Sequence, residues 1–277
     1  METVSEAKAH GGVQGVYKHQ SEATGCEMTF AVFVPPQAAK APCPVVWYLS
    51  GLTCTHQNVM DKGEYRRMAA ALGLIIVCPD TSPRGDGVAD DPDDWQIGKG
   101  AGFYVDATEV PWADHYRMYS YIAEELPDLI ADSFPADMDR QAVFGHSMGG
   151  HGALTLALKN RARFRSCSAF APIVAPSQAE WARKAFALYL GTDEKKWRQH
   201  DATCLVEDGA HFPELLVDQG AADGFLESGL MPHLFDEACR KSGIALTLRM
   251  QPGYDHSYNF ISTFMDDHLR WHADRLR

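Results

Sequence analysis

Residues 44–50 (PVVWYLS) and 74–79 (LIIVCP) are almost continuously apolar, and between them an Ala-rich, helix-like stretch, 63–72, ends at Gly73. A strand with one face in water alternates apolar and polar residues. A short run that does not alternate belongs to a strand covered on both faces, and such strands build parallel sheets flanked by helices. Gly73 supplies the left-handed stop that commonly ends a helix. The same rhythm continues, with strands expected at 140–144, 165–171, 214–217 and 245–250 and helices at 150–160, 178–190, 230–241 and 258–275. Residues 28–34 alternate and halt at Pro35-Pro36, which reads as an outer strand. Strands alternating with helices predict an α/β fold with a mainly parallel central sheet and helices on both faces. No repeat or Ser/Pro-rich linker divides the chain, so residues 1–277 are expected to form a single domain.

Charge and apolar length narrow the function. The 25 Lys and Arg stand against 37 Asp and Glu, a net charge of −12 that repels phosphate backbones, and no basic run offsets it. Nucleic acid is therefore excluded as an expected partner. Residues 1–16 are polar and Gly-rich, without the basic and apolar regions of a secretory signal, and apolar runs such as 74–77 and 154–158 are too short for a bilayer. Seven cysteines, an odd number with no C-x-x-C spacing, read as free thiols in a reducing compartment rather than as a disulfide frame or a metal site. The expectation is a cytoplasmic protein with no membrane partner and no metal.

One segment breaks the rhythm. Residues 80–112 are acidic and Gly-rich with almost no periodicity, and a loop of that length in a compact domain is usually functional. Its aromatic residues Trp95, Phe103, Tyr104 and Trp112 suggest the wall of an active site.

The chemistry centres on Gly145-His146-Ser147-Met148-Gly149, a G-x-S-x-G string between a predicted strand and a predicted helix. There the chain must turn abruptly while Ser147 holds a strained backbone, and glycines on either side remove Cβ atoms that would collide. The hydroxyl then projects at the carboxyl edge of the sheet. A serine nucleophile needs a base, and His256 lies in the loop after the last predicted strand. His268 and His272, four apart on a helix, read as a solvated face, and His146 and His151 as packing or hydrogen-bonding residues. The acid that orients the base is Asp218, at a strand end, or Asp223, five residues on; spacing leaves both open. The backbone amide of Met148 supplies one oxyanion donor, and the loop 50–55 the second, with Leu52 preferred over Gly51 or Thr53.

Taken together, the segments 50–55 (SGLTCT), 79–85 (PDTSPRG), 100–108 (GAGFYVDAT), 145–154 (GHSMGGHGAL), 170–173 (FAPI) and 255–260 (DHSYNF) resemble the S-formylglutathione hydrolase, or esterase D, family over nearly the whole chain. The resemblance implies an α/β-hydrolase fold and a cytoplasmic enzyme that cleaves the small-molecule thioester S-formylglutathione without a cofactor. It assigns the acid to Asp223, because the family's acid precedes one residue and then Phe-Leu, as in Asp223-Gly224-Phe225-Leu226. It also implies a homodimer. Trp181, in a segment similar to one near the family's acyl pocket, narrows that pocket or simply packs its helix. Cys54, beside the oxyanion loop, is expected to border the substrate and to confer sensitivity to thiol reagents without serving as the nucleophile. Asn259 departs from an aromatic common in the family, with helix packing as the expected consequence. A general short-chain esterase or acyltransferase of the same fold is the competing activity, and a non-catalytic binding protein is disfavoured by the intact set of Ser147, a histidine and an acid.

Overall fold

The computed structural model describes residues 1–277. Nine strands form one sheet: β1 (Glu2–Ala9), β2 (Gly12–Gln20), β3 (Glu27–Val34), β4 (Cys43–Leu49), β5 (Ile75–Pro79), β6 (Ala136–His146), β7 (Phe164–Phe170), β8 (Glu214–Gly220) and β9 (Ala245–Gln251). Their spatial order is β1-β2-β3-β5-β4-β6-β7-β8-β9. Pairing is antiparallel from β1 through β3 to β5 and parallel from β5 to β9, the mainly parallel α/β-hydrolase arrangement expected from the apolar runs.

Strand β3 is not the outer strand that its alternation suggested. Two further strands lie outside it, and every residue of β1 from Glu2 to Lys8 is exposed. With both faces in water, β1 carries no apolar pattern, so periodicity could not reveal it.

The alternation of β7 shows how the helices cover both faces. Cys167 Sγ donates to the Ala153 carbonyl in the helix Met148–Lys159, whereas Ser166 and Ser168 bond His272 and His268 of the helix Tyr258–Arg275. Successive side chains on a strand point to opposite faces, so these two helices lie on opposite sides of the sheet. His268 and His272 are both fully buried, which corrects their reading as a solvated face. Burial holds both imidazoles below their ordinary range, so they are neutral near pH 7. Their partners then order one chain of hydrogen bonds. His268 Nε2–H donates to Asp218 and His268 Nδ1 accepts from Ser168; Ser168 Oγ accepts from His272 Nε2–H and His272 Nδ1 from Ser166. No helix is long and apolar enough to cross a membrane.

The chain adds β5 to one side of β4 and then β6 to the other. That reversal opens a crevice at the carboxyl ends of β4 and β6, where α/β sheets bind their ligands.

Candidate active site

Strand β6 ends at His146, the helix begins at Met148, and Ser147 alone makes the turn with φ 58° and ψ −118°. A non-glycine residue in that region stores about 1–3 kcal/mol of strain, held here by the surrounding structure. Its amide donates to the Phe170 carbonyl at 3.0 Å, and its carbonyl accepts from the His151 and Ile173 amides. The two glycines have a steric origin. A Cβ on Gly149 would fall 1.9 Å from the Leu49 carbonyl oxygen, and one on Gly145 would fall 2.3 Å from that of Gly149. The helix and β4 approach too closely for any side chain there.

A cavity of about 320 Å³ opens over Ser147 and is lined by Gly51, Leu52, Thr53, Cys54, Asn58, Trp95, His146, Trp181, Phe225, Leu230, His256 and Tyr258. His256 enters from the loop after β9. Its Nδ1 lies 2.6 Å from Asp223 Oδ2, leaving the other ring nitrogen for chemistry. Asp223 is buried and both of its oxygens are hydrogen-bonded: Oδ1 accepts from the Phe225 amide at 2.8 Å, and Oδ2 also accepts from Gln219 Nε2 at 3.2 Å. The two loops are tied by their backbones, Ala221 donating to Gln251 and Ala222 to Tyr254, both at 2.9 Å. Ser147 and His256 share the cavity without hydrogen-bonding each other, a contact that in empty sites is often long and tightens with substrate.

Asp218 stands elsewhere. It is fully buried at the end of β8, where Arg249 Nε donates to Oδ1 at 2.6 Å, Gln251 Nε2 to the same oxygen at 3.1 Å, and His268 Nε2 to Oδ2 at 3.1 Å. Burial alone would raise its pKa; the hydrogen bonds from His268 and Arg249 outweigh it and bring the carboxyl down to about 2.

On the oxyanion side, the Thr53 amide is taken by the Gly100 carbonyl at 2.9 Å and that of Cys54 by Gly51 at 3.3 Å. The Leu52 and Met148 amides donate to no group in the chain, which leaves them free for a ligand oxygen. Thr53 is thereby removed as an alternative donor, while Gly51 keeps its place in the lining.

Of the four aromatic residues singled out in the long segment, one reaches the wall of the cavity. Trp95 lines the cavity, its ring 6.4 Å from that of Trp181, but Phe103, Tyr104 and Trp112 are buried in the core. Tyr104 donates to the Ser50 carbonyl and so braces the oxyanion loop from below, and Trp112 packs against Tyr116 and Tyr189. Cys54 lines the cavity, and burial pushes its thiol pKa up, so the sulfur is protonated at neutral pH. Asn259 is exposed on the first turn of its helix and leaves the packing there untouched.

Spacing in the sequence missed several groups. His146 packs its ring 4.4 Å from that of His256 and lines the cavity. Burial first, and then the neighbouring His256, hold His146 well below the ordinary imidazole range, so it stays neutral. His151 fits the packing role, its Nε2 donating to the Phe103 carbonyl at 3.0 Å. Gln219, Phe225, Leu230, Asn58 and Tyr258 carried no signal beyond their nearness in sequence to residues already singled out.

The chain is similar to known proteins over nearly its whole length. Residues 21–271 match the model of an esterase family described as "Putative esterase". The S-formylglutathione hydrolase of Paracoccus denitrificans is 54% identical over 275 residues, covering 99% of this chain and 98% of that protein. The S-formylglutathione hydrolase of Mus musculus is 51% identical over 279 residues, covering 100% and 99%. A solved S-formylglutathione hydrolase structure from Agrobacterium tumefaciens has 67% sequence identity and a TM-score of 0.99, covering 100% of both chains.

Proposed function

The chain belongs to the S-formylglutathione hydrolase family of esterases, and from that premise we propose that it hydrolyses the thioester S-formylglutathione to formate and glutathione, a step of formaldehyde detoxification. Ser147 is the nucleophile, His256 the base, and Asp223 the acid that holds the base. The 2.6 Å contact between His256 Nδ1 and Asp223 beside the strained Ser147 is the observation that carries this reading.

In the first half-reaction His256 takes the Ser147 proton as the oxygen attacks the formyl carbonyl. The amides of Leu52 and Met148 stabilise the developing oxyanion, the term that usually contributes most to catalysis. The C–S bond then breaks and glutathione leaves with the proton that His256 holds, giving a formyl-serine. In the second half, water gives a proton to His256 and attacks the same carbonyl; collapse releases formate and returns the proton to Ser147. Asp223 fixes the tautomer of His256 and stabilises the imidazolium. Neutral His146, tilted against the His256 ring, adds no competing charge.

The free state of all seven cysteines supports a cytoplasmic setting. The homodimer expected from the resemblance belongs to the same proposal and is tested by sedimentation of the purified chain. Turnover is tested by assaying formate release from S-formylglutathione by the parent and by Ser147→Ala. Rapid hydrolysis by the parent and none by the variant is expected; near-parental turnover by the variant would remove Ser147 from the mechanism.

A further inference from the structure

The cavity over Ser147 measures about 320 Å³, whereas a formyl group needs little more than the ~30 Å³ share of one water molecule. Most of the space is therefore left for the thiol half of the thioester. That half is a γ-glutamyl-cysteinyl-glycine unit with two carboxylates and one ammonium, net −1, approaching a chain of net charge −12. None of the lining side chains carries a fixed positive charge.

Two cations stand near the edge, and Arg84 is already committed to Asp80 and the Cys54 carbonyl, which leaves Lys62. Lys62 lies one helical turn after Asn58 in the helix His56–Lys62, on the same face. Its Nζ sits 6.0 Å from the ring centroid of Tyr258, and both Tyr258 and Asn58 line the cavity. Unlike Lys18, Lys184 and Lys241, Lys62 has no carboxylate partner, a state it shares with six other lysines; its position beside Tyr258 and Asn58 is what sets it apart. Asn58 uses Oδ1 to cap its helix, accepting from the Thr55 amide at 2.9 Å, so its side-chain N–H groups remain unpartnered. From the thioester sulfur the glycyl carboxylate extends about 7 Å, two residues of extended chain, which suits recognition at the mouth rather than the floor.

We propose that Lys62 and Asn58 form a carboxylate-recognition point for the glutathionyl leaving group. The proposal rests on the assignment of a glutathione thioester as substrate. It gives the site its preference for an anionic thiol over a neutral one: the ammonium supplies the charge and Asn58 a directed donor. The interaction is partly exposed, so it is salt-sensitive. Lys62 also ends its helix, where a cation is favourable on dipole grounds alone; that role would be read in thermal stability and not in ligand choice.

The test uses S-methylglutathione, which cannot be hydrolysed, as a competitive inhibitor of p-nitrophenyl acetate hydrolysis. Its Ki is expected to rise about tenfold in Lys62→Gln, further in Lys62→Glu, and to return toward the parental value in Lys62→Arg. In the parent, Ki should rise with ionic strength, and Lys62→Gln should flatten that dependence. Equal Ki values across the three variants, or a salt dependence that survives Lys62→Gln, would overturn the proposal. If Ki moves as expected while the parent fails to turn over S-formylglutathione, the recognition point stands and the catalytic assignment falls.

Discussion

Asp223 Oδ2 accepts the Nδ1–H of His256 at 2.6 Å, while Asp218, five residues earlier and within β8, is bound to Arg249 and His268. The two carboxylates are near neighbours in the chain and serve unrelated networks.

Their substitutions should therefore separate cleanly. Loss of the acid of a serine–histidine–aspartate set lowers kcat by about 10⁴, so Asp223→Asn is expected to lose several orders of magnitude in kcat with little change in Tm. Asp218→Asn takes from the partly buried Arg249 its buried carboxylate partner and leaves it only the exposed Asp267. Removing one partner of a buried pair costs about 3–5 kcal/mol, and the partial exposure of Arg249 brings the expectation to the lower end of that range. Urea unfolding and steady-state kinetics on both variants provide the check. Exchanged phenotypes would transfer the role of acid to Asp218.

Buried neutral histidines make stability fall with acid. Burial brings His151 down to about 4 and His200 to about 3, and it also depresses His146, His268 and His272. Unfolded, each takes a proton near pH 6.5. Below that value the unfolded chain binds more protons, so the stability present above pH 6.5 is lost as the pH falls toward the folded values. The slope is ~1.4 kcal/mol per pH unit for each histidine that stays neutral. Asp218, held near 2 when folded, adds stability that is complete above about pH 3.9 and disappears only as the pH falls through about 2. Urea midpoints are expected to drop steeply from pH 6.5 to pH 5, and His272→Gln should reduce the slope by about one proton. A flat profile over that range would contradict the buried neutral assignment.

Gly149→Ala is expected to be among the most damaging single substitutions, because its Cβ would meet the Leu49 backbone oxygen at 1.9 Å. A clash with the fixed backbone of Leu49 and Ser50 should cost more than about 4 kcal/mol. Gly224→Ala, whose Cβ would meet nothing within 4 Å, should leave Tm within a degree or two. Comparable Tm values for the two variants would show that the elbow relaxes more easily than its geometry implies.

Cys54→Ser and Cys54→Ala are expected to keep substantial kcat. Burial keeps the thiol protonated, and no base is positioned to activate it. Alkylation of the parent should still inhibit, slowly, by filling the cavity that Cys54 lines. Both variants should lose that sensitivity. Two folded but inactive variants would instead make the sulfur a participant in the reaction.

Sequence alone carried the features whose cause is local. The buried strands β4 and β5 announce themselves because both of their faces are covered, and the helix Arg66–Leu72 ends at Gly73 in the left-handed conformation that glycine permits. Ser147 stands out because its turn requires glycines at fixed offsets. The resemblance added a preference for Asp223 that strand spacing could not supply. Strand β1 stayed hidden because an exposed ribbon needs no apolar code.

What the tertiary structure decided was the choice among chemically equal side chains. Asp218 and Asp223 are the same residue type, as are His256, His268 and His272, and a helical period cannot tell water from a sheet face carrying two serines. The hydrogen-bond partners that tell them apart lie 33 residues away for His256 and 100 residues away for His268. The physical reason is that burial is costly for a polar group until a donor or acceptor meets it. Which group meets it depends on strand order and loop closure, and only the folded chain brings those atoms together.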